Sequence, residues 1–496
     1  MSDTSVGQSD QNSKGPLAKY EPVIGLEIHC QLSTASKLFC ACKTDFGALP
    51  NQHTCPLCLG LPGVLPVINK TAVDYAIRMA LAVGATIRER SVFSRKQYFY
   101  PDLPKGFQLT QYDLPYCEHG HLTLDNGRRI NIERIHMEED AGKNIHGDNA
   151  SYVDLNRAGT PLLEIVSAPE MHSAEEAVDY LRKIHAIVRY LGISDGNMDE
   201  GSFRCDVNIS LRPRGATKLG TRTEIKNVNS FRNVEKAIAY EIMRQADVLD
   251  SGDSIRQATL LFDAASGRTA QMRSKEDAPD YRYFPEPDLG PLYISSDRIK
   301  AMAALIPELP EAKKKRFQDD FNIPESDAAQ LTEQVELAAF FESVVAKVDG
   351  KVAPKIVANW INTEYMREFN NRQSKWAKPI LSSDALGELL RYLGEGMISG
   401  KIAKTVFEEM LENGQSAKAI IDAKGLVQIS DTSEINSVVT DIIAQFPDQV
   451  AQHRAGKPKV FSFLVGQVLK VSQGKFNPAL VNSSLKDALD GDARNS

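Results

Sequence analysis

The chain has 496 residues, of which 42% are hydrophobic and 25% are charged, and its formal net charge is −7. This composition is ordinary for a folded globular protein and excludes a disordered or fibrous chain, while the length predicts roughly two to four domains. The negative charge excludes wholesale wrapping of nucleic acid, so any nucleic-acid contact requires a local basic surface.

Residues 1–14 are polar and lack the apolar core of a signal peptide, which predicts a flexible N-terminal tail over residues 1–19. The longest apolar runs, such as Ala301–Ile306, fall well short of the roughly 18–20 residues that cross a bilayer, so no membrane segment is expected. Seven cysteines, four of them clustered, disfavour a disulfide framework and suit a reducing compartment and a metal site. We therefore expect a cytoplasmic protein.

Between residues 20 and 307, short runs of alternating apolar and polar residues are separated by turn residues. This pattern predicts strands at Val23–Leu32, Phe203–Arg212 and Thr221–Lys226, with a helix at Ser173–Leu191. Antiparallel strands decorated by helices indicate an α+β domain.

The first predicted strand has a polar face. Successive side chains of a strand point to opposite sides, so Glu27, His29 and Gln31 share one face. A carboxylate and an imidazole side by side can hold a divalent cation, whereas a solvated outer face explains the same residues equally well.

A cysteine insert follows at residues 40–58. Cys40-x-Cys42 and Cys55-x-x-Cys58 are two close pairs that can surround one Zn²⁺ tetrahedrally in a closed, structural site. His53 is a weaker alternative for one ligand, and four free thiols are the competing interpretation.

Later segments add further polar groups to what is predicted to be one sheet face. Glu164 interrupts the apolar run Pro161–Val166, where a carboxylate costs free energy unless it is paired or bound to metal. His136-Met137-Glu138-Glu139-Asp140 places three acids beside a histidine. Two further strands contribute rows of mixed charge: Arg204, Asp206, Asn208, Ser210 and Arg212 in one, and Arg222, Glu224 and Lys226 in the other.

This mixture suits nucleotide chemistry. Carboxylates hold Mg²⁺, which bridges nucleotide phosphates, and Arg and Lys neutralise a transferring phosphoryl group. A row of structural ion pairs is the alternative. The sequence contains no P-loop, no dinucleotide-binding glycine motif and no Gly-x-Ser-x-Gly elbow, so a nucleotide is expected on the open sheet face.

After Pro307 helical patterns replace strands. Helices are predicted at Pro310–Phe321 and Ser326–Val348, and Glu412-Asn413-Gly414 is predicted to end a third helix. The predicted division is a tail, an α+β domain, an all-α domain and a small all-α tail domain, at residues 1–19, 20–307, 308–413 and 414–496.

The window Ala451–Leu480 is basic and contains no Asp or Glu. Such a surface suits contact with a phosphate backbone, although a solvated helix face is the alternative. Its cationic residues are Arg454, Lys457, Lys459, Lys470 and Lys475.

Six long segments carry a family resemblance: Val23–His29, Tyr98–Gly106, His136–Lys143, Asp154–Ser167, Glu200–Ser210 and Asp280–Asp288. They resemble the B subunit of the Glu-tRNA(Gln)/Asp-tRNA(Asn) amidotransferase, and the likeness runs from Tyr20 to the C-terminal tail.

The resemblance implies a cradle domain related to glutamine synthetase, followed by a helical domain and a tail domain. It also implies that ATP phosphorylates the side-chain carboxylate of Glu-tRNA(Gln), Asp-tRNA(Asn) or both, and that ammonia displaces the phosphate. Mg²⁺ is expected at His29, Glu139 and Glu164. Glu27, Glu200, Asp206 and Glu224 are expected to serve a second ion or the nucleotide. Arg157, Arg204 and Lys226 are expected to contact the nucleotide phosphates, and Asn208 is expected to help bind the nucleotide.

The same resemblance implies partners. The sequence has no amidase-like nucleophile segment, so ammonia is expected from an amidase A subunit, with a small C subunit completing a heterotrimer. Lys96 matches a family position near the ammonia passage, and the tail domain is expected to hold tRNA. A stand-alone amide ligase of glutamine synthetase type and a non-catalytic, zinc-stapled tRNA-binding scaffold are the competing hypotheses.

Overall fold

A computed structural model describes residues 16–272, 280–427, 432–454, 457, 459–472 and 475–491. The chain divides into two compact units, Met1–Leu309 and Pro310–Ser496. A further division at residues 413/414 stays a prediction. Most of the predicted N-terminal tail lies outside the described residues, but its last four residues, Pro16–Lys19, form a short helix and do not belong to an unstructured tail.

The first unit contains the strands. Within the described residues they are β1 Tyr20–Gln31, β2 Thr86–Ile87, β3 Arg90–Ser91, β4 Ser94–Gln97, β5 Phe107–Thr110, β6 Cys117–Thr123, β7 Arg129–Glu139, β8 Lys143–His146, β9 Ser151–Asp154, β10 Pro161–Ser167, β11 Phe203–Pro213, β12 Thr223–Lys226, β13 Ala258–Asp263, β14 Arg268–Gln271, β15 Phe284–Pro285 and β16 Leu292–Tyr293.

The helices of the first unit are α1 Pro16–Lys19, α2 Lys70–Ala82, α3 Ala174–Tyr190, α4 Phe231–Asp250 and α5 Ser296–Ala303. The second unit contains α6 Pro310–Phe321, α7 Glu325–Thr332, α8 Val335–Lys347, α9 Pro354–Trp360, a π-helical turn Ile361–Tyr365, α10 Met366–Asn371, α11 Ser383–Gly394, α12 Gly400–Asn413, α13 Ala417–Lys424, α14 Thr432–Gln445, α15 Pro447–Arg454, α16 Lys459–Val471 and α17 Pro478–Gly491. None of these helices, over the residues described, is long and apolar enough to cross a bilayer.

One large sheet organises the first unit. Its strands follow the order β14-β13-β12-β11-β1-β10-β7-β5-β4-β15, and β6 and β2 branch from β7. The pairs are antiparallel, as predicted, except that β12 and β13 run parallel. Helix α4 lies between these two strands in the chain and provides the long crossover that a parallel pair requires. The predicted α+β class is confirmed.

The two faces of the sheet differ because apolar and polar residues alternate. On β1 the side chains of Ile24, Leu26, Ile28 and Cys30 are buried in the core that also contains residues of α2, α3 and α4. The polar residues of the same strand occupy the other face. Burial of the apolar row therefore determines the orientation of the polar row.

The helical predictions are largely confirmed. The helix Pro310–Phe321 has the predicted bounds, and Gly414 ends α12 with a left-handed φ of 66°. The single helix predicted at Ser326–Val348 is wrong, because α7 ends at Thr332 and α8 begins at Val335. The Thr332 hydroxyl donates back to the carbonyl of Ala328 at 2.8 Å, a bond that weakens the helix, and Gln334 is extended.

Candidate functional site: two carboxylate clusters and a cysteine cluster

The first cluster forms where β1, β10 and β7 lie side by side. Glu164 of β10 pairs with His29 of β1 on one side and with His136 of β7 on the other, so all three side chains share a face. His29 Nε2 lies 3.4 Å from Glu164 Oε2 and 3.6 Å from Glu138 Oε1. One ligand atom from each of His29, Glu138 and Glu164 lies within 4.8 Å of the others, which is compact enough for a metal ion.

The structure does not bring Glu139 to this cluster. Glu139 pairs with Pro161, one residue out of step with Glu138, and therefore points to the opposite face. There it forms an ion pair with Lys105 and accepts a hydrogen bond from the Leu109 amide at 3.0 Å. The expected grouping of Glu139 with His29 and Glu164 is thus wrong, and Glu138 stands in its place.

Charge is balanced within the first cluster by imidazoles. Burial alone raises the pKa of Glu164, but His136 and His29 outweigh it and hold that pKa well below the usual value. Burial alone lowers the pKa of His136, but Glu164 and Glu138 raise it to about 9. Because metal ligands must lose their protons, a cation at this site would take over the role of the imidazolium charge.

A second cluster lies next to the first on the same face. Glu27 of β1 pairs with Asp206 of β11, and Glu224 of β12 completes a group with ligand atoms within 4.8 Å of one another. Lys226 Nζ lies 2.5 Å from Asp206 and 3.0 Å from Glu224. Asn208 Nδ2 donates to Glu27 at 2.9 Å. The Lys226 ammonium thus pairs with two of the three carboxylates, while within the described residues Glu27 has only an amide as its hydrogen-bond donor, so the cluster carries more negative than positive charge.

The pKa values of the second cluster reflect its excess of negative charge. Burial raises the pKa of Glu27, and the negative charges of Glu164 and Glu224 raise it further. The dependence on Glu164 links the two clusters. The pKa of Lys226 is also raised, because Asp206 and Glu224 outweigh the effect of its burial. Additional positive charge would be stabilised here.

Asp140 holds the two predicted arginines. Arg204 Nη2 donates to Asp140 Oδ2 at 3.0 Å, and Arg157 Nε lies 3.6 Å from the same oxygen. Gln31 donates to it at 2.7 Å. Glu200 is exposed in the turn before β11 and belongs to neither cluster. Asp140 was not among the predicted site residues, although it shares a face with Glu138 by the two-residue period.

The four cysteines of the insert meet as predicted. The sulfur of Cys58 lies 3.7 Å from that of Cys40, 3.8 Å from that of Cys55 and 4.0 Å from that of Cys42. A tetrahedral site with Zn–S bonds of about 2.3 Å places its sulfurs about 3.8 Å apart, so the donor set fits zinc. The Cys40 thiol and then the Lys37 ammonium lower the pKa of Cys58 to about 4. His53 is not part of this group.

Comparison with known proteins decides the family. Residues 22–300 match the family model described as the GatB/GatE catalytic domain, which is more than half of the chain, and residues 339–489 match the GatB domain. The chain belongs to the GatB family. Both carboxylate clusters and the four cysteines lie inside the first matched region.

Full-length relatives agree with this GatB assignment. The B subunit of the aspartyl/glutamyl-tRNA(Asn/Gln) amidotransferase of Nitratidesulfovibrio vulgaris (strain DP4) is 54% identical over 478 residues, which are 95% of this chain and 100% of the relative. The proteins of the same name from Geotalea uraniireducens and Geobacter sulfurreducens are 54% and 52% identical, again over 95% of this chain and 100% of each relative. The resemblance seen in the sequence is confirmed.

An aromatic group of this GatB-family chain lies near the first cluster. Tyr283 stacks on Tyr112 with ring centroids 3.9 Å apart, and Tyr281 lies 6.0 Å from Tyr283. Burial raises the pKa of Tyr283, to which Tyr281 and Glu164 also contribute. Lys96 Nζ lies 4.9 Å from the centroid of Tyr281. The aromatic residues of the segment Asp280–Asp288 were the available signal, and sequence reasoning did not use them.

The predicted tRNA-binding residues belong to the second GatB unit. Lys457 and Lys470 are exposed and Lys475 is half-buried. Arg454 ends α15 and Lys459 begins α16, and their side chains lie outside the described part of the structure.

Proposed function

We propose that this chain activates the side-chain carboxylate of Glu-tRNA(Gln), Asp-tRNA(Asn) or both with ATP and Mg²⁺, so that ammonia can convert it to the amide. The observation that carries the proposal is the pair of adjacent carboxylate clusters on one sheet face, each interleaved with basic side chains. The relatives' name, which makes them B subunits of an aspartyl/glutamyl-tRNA(Asn/Gln) amidotransferase, supports the substrate class.

The chemistry requires activation because a carboxylate is a poor acyl donor. Its leaving group would be oxide, whereas phosphorylation makes the leaving group inorganic phosphate. The γ-phosphoryl group of ATP bonds to a carboxylate oxygen and ADP leaves. Ammonia then attacks the acyl carbon, phosphate departs with the C–O bond electrons, and the amide loses the surplus proton to solvent.

The two carboxylate clusters would have different binding roles. His29, Glu138 and Glu164 would hold Mg²⁺, and Glu27, Asp206 and Glu224 would hold a second ion or receive the nucleotide with its metal. The ion supplies neutralisation of phosphate charge when bound. Lys226 and Arg204 border these carboxylates and are suited to contact phosphate oxygens, with Asn208 and Arg157 beside them.

The proposal also includes partner subunits, a structural zinc site and a tRNA-binding surface. An amidase A subunit and a small C subunit would complete a heterotrimer, with Lys96 beside the ammonia passage. A structural Zn²⁺ held by Cys40, Cys42, Cys55 and Cys58 would staple the insert. The basic residues of the second unit would contact tRNA. A protein acting on charged tRNA is expected where translation takes place, in the cytoplasm.

The test uses the reconstituted complex with both charged tRNAs. Glu138→Gln and Glu164→Gln should lower tRNA-dependent ATP hydrolysis and amidation on the order of 100-fold or more, because each removes a charge from the metal site. The matched control is Glu133→Gln, an exposed glutamate on the same strand β7, which should leave the rate unchanged.

The variant Glu139→Gln distinguishes the role of Glu139 from that of its neighbour Glu138. We expect it to lower the melting temperature, because it leaves Lys105 without its carboxylate, but not to raise the Mg²⁺ concentration needed for half-maximal rate. A Glu138→Gln complex that amidates at the normal rate would contradict the site assignment. Amidation of free glutamate by the purified chain and ammonium would instead support a stand-alone ligase, and tRNA binding without ATP turnover in the complex would support a scaffold.

A further inference from the structure

Lys37 is a fully buried lysine, with 0% of its surface exposed, next to the cysteine cluster. Its ammonium donates to the Cys58 sulfur at 3.3 Å, to the His53 carbonyl at 2.7 Å and to the Leu155 carbonyl at 3.1 Å. All three N–H groups are thereby used. Within the described residues no carboxylate forms an ion pair with Lys37. A buried ammonium without a nearby anion is very unfavourable, and a thiolate at Cys58, 3.3 Å away, is placed to supply the negative charge.

The charge of the cluster explains why a lysine belongs there. Four thiolates around one Zn²⁺ carry a net charge of −2, and the sulfur of Cys58 lies within 4.0 Å of each of the other three. A single cation placed on Cys58 therefore reduces the charge of the whole group. The partners that surround a metal site influence its affinity as the ligands do.

Lys37 also joins the insert to the loop that leads into β10. Its contact with Leu155 is flanked by two further bonds from the insert. The Leu155 amide donates to Asn51 Oδ1 at 2.8 Å, and the His53 amide donates to Asn156 Oδ1 at 2.8 Å. The cysteine insert and the loop after β9 are thus held together around one buried ammonium group.

We infer that Lys37 is the counter-ion of the cysteine cluster and the residue that anchors it to the loop between β9 and β10. The inference rests on the proposed zinc site and assigns a positioning role to a residue outside the ligand set. It concerns metal retention and does not involve the chemistry of the carboxylate clusters.

The first experiment measures zinc affinity of the purified full chain by competition with a chromophoric chelator. Lys37→Met should weaken zinc binding about 10- to 100-fold, whereas Lys37→Arg, which keeps the charge, should recover most of the loss. The matched control is Lys43→Met in the same insert. The Lys43 side chain is 70% exposed and its ammonium lies 3.9 Å from Asp45, so its loss should leave zinc affinity unchanged.

A second experiment uses the wild-type chain, in case Lys37→Met does not fold. Amine acetylation read by mass spectrometry should spare Lys37 in the zinc-loaded chain and modify it after chelation, while Lys43 reacts in both states. A lysine buried for packing alone would stay protected in both, and that result would overturn the inference. Equal zinc affinity of Lys37→Met and Lys43→Met would overturn it while leaving the zinc site intact. A wild-type chain that binds no zinc would overturn both proposals.

Discussion

Asp140 is the buried carboxylate around which the arginines of the site are arranged. It is 5% exposed and accepts hydrogen bonds from Gln31 and Arg204, with Arg157 close by. Burial alone raises the pKa of Asp140, but the charges of Arg204 and Arg157 outweigh it and hold that pKa below the usual value. Asp140 therefore stabilises the folded chain as an anion and orients the two guanidinium groups.

Replacing Asp140 by Asn should lower the free energy of unfolding by about 1.5–3 kcal/mol at neutral pH, because hydrogen bonds to charged groups are lost. A depressed pKa means that this contribution is present above the unfolded pKa, about pH 4, and is lost as pH falls through the folded value. The measurement is urea unfolding of variant and wild type at neutral pH and at acidic pH, where their stabilities should converge.

The control for this prediction is Asp113→Asn, which removes an exposed carboxylate and should change stability little at either pH. A stability difference between Asp140→Asn and wild type that is the same at both pH values would contradict the assignment of an anionic Asp140. A variant as stable as wild type at neutral pH would contradict it as well.

The two-residue period of a strand predicts much of the site at the scale of single residues. It groups Glu27 with His29, and Asp206 with Asn208, and the structure confirms that these polar side chains share a face. The prediction chose Glu139 instead of Glu138 as the metal ligand, because the segment that carries the family resemblance contains both residues. Applied from His136, the same period selects Glu138, and the pairing of Glu164 with His136 decides the question.

At the scale of elements, helix ends follow local chemistry and were predictable. Ser173 caps α3, its side chain accepting from the Glu176 amide, and Gly414 ends α12 in the left-handed region. The interruption between α7 and α8 was not predictable from periodicity, because the apolar pattern continues across it. The parallel pairing of β12 with β13 depends on partners brought together by folding, and no local signal specifies it.

Gly414 provides a test at this scale. Its φ of 66° is strained for any residue with a side chain, while no atom lies within 4 Å of an added Cβ, so only the backbone conformation is at stake. Gly414→Ala should therefore lower the free energy of unfolding by about 1 kcal/mol. Urea unfolding followed by circular dichroism measures the change.

The matched control is Gly400→Ala at the other end of the same helix. An added Cβ there also meets nothing within 4 Å, and the backbone is not left-handed. Alanine should be neutral or slightly stabilising at this position, because it restricts the unfolded chain more than glycine does. Equal destabilisation by both substitutions would show that the C-terminal cap is not the cause.

At the scale of the whole molecule, each unit has its own apolar interior. The first is built on the sheet and helices α2, α3 and α4. In the second, helices α14 to α17 share a separate cluster that includes Val439, Leu464 and Leu485. The change from alternating to helical periodicity after Pro307 predicted this change of architecture, since each period matches the surface that its element must bury.

Binding of tRNA depends on how charge is distributed over the whole molecule. A chain with a net charge of −7 repels a polyanion, so tRNA must be held by local cations whose contacts release counter-ions. Lys470 is exposed at the end of α16. Lys470→Ala should weaken tRNA binding and reduce the slope of log affinity against log salt by about 1. Lys300→Ala in the first unit, where Lys300 is exposed and pairs with Asp297 at 3.7 Å, is the control and should leave the slope unchanged. Identical slopes for Lys470→Ala and wild type would exclude a phosphate contact at this residue.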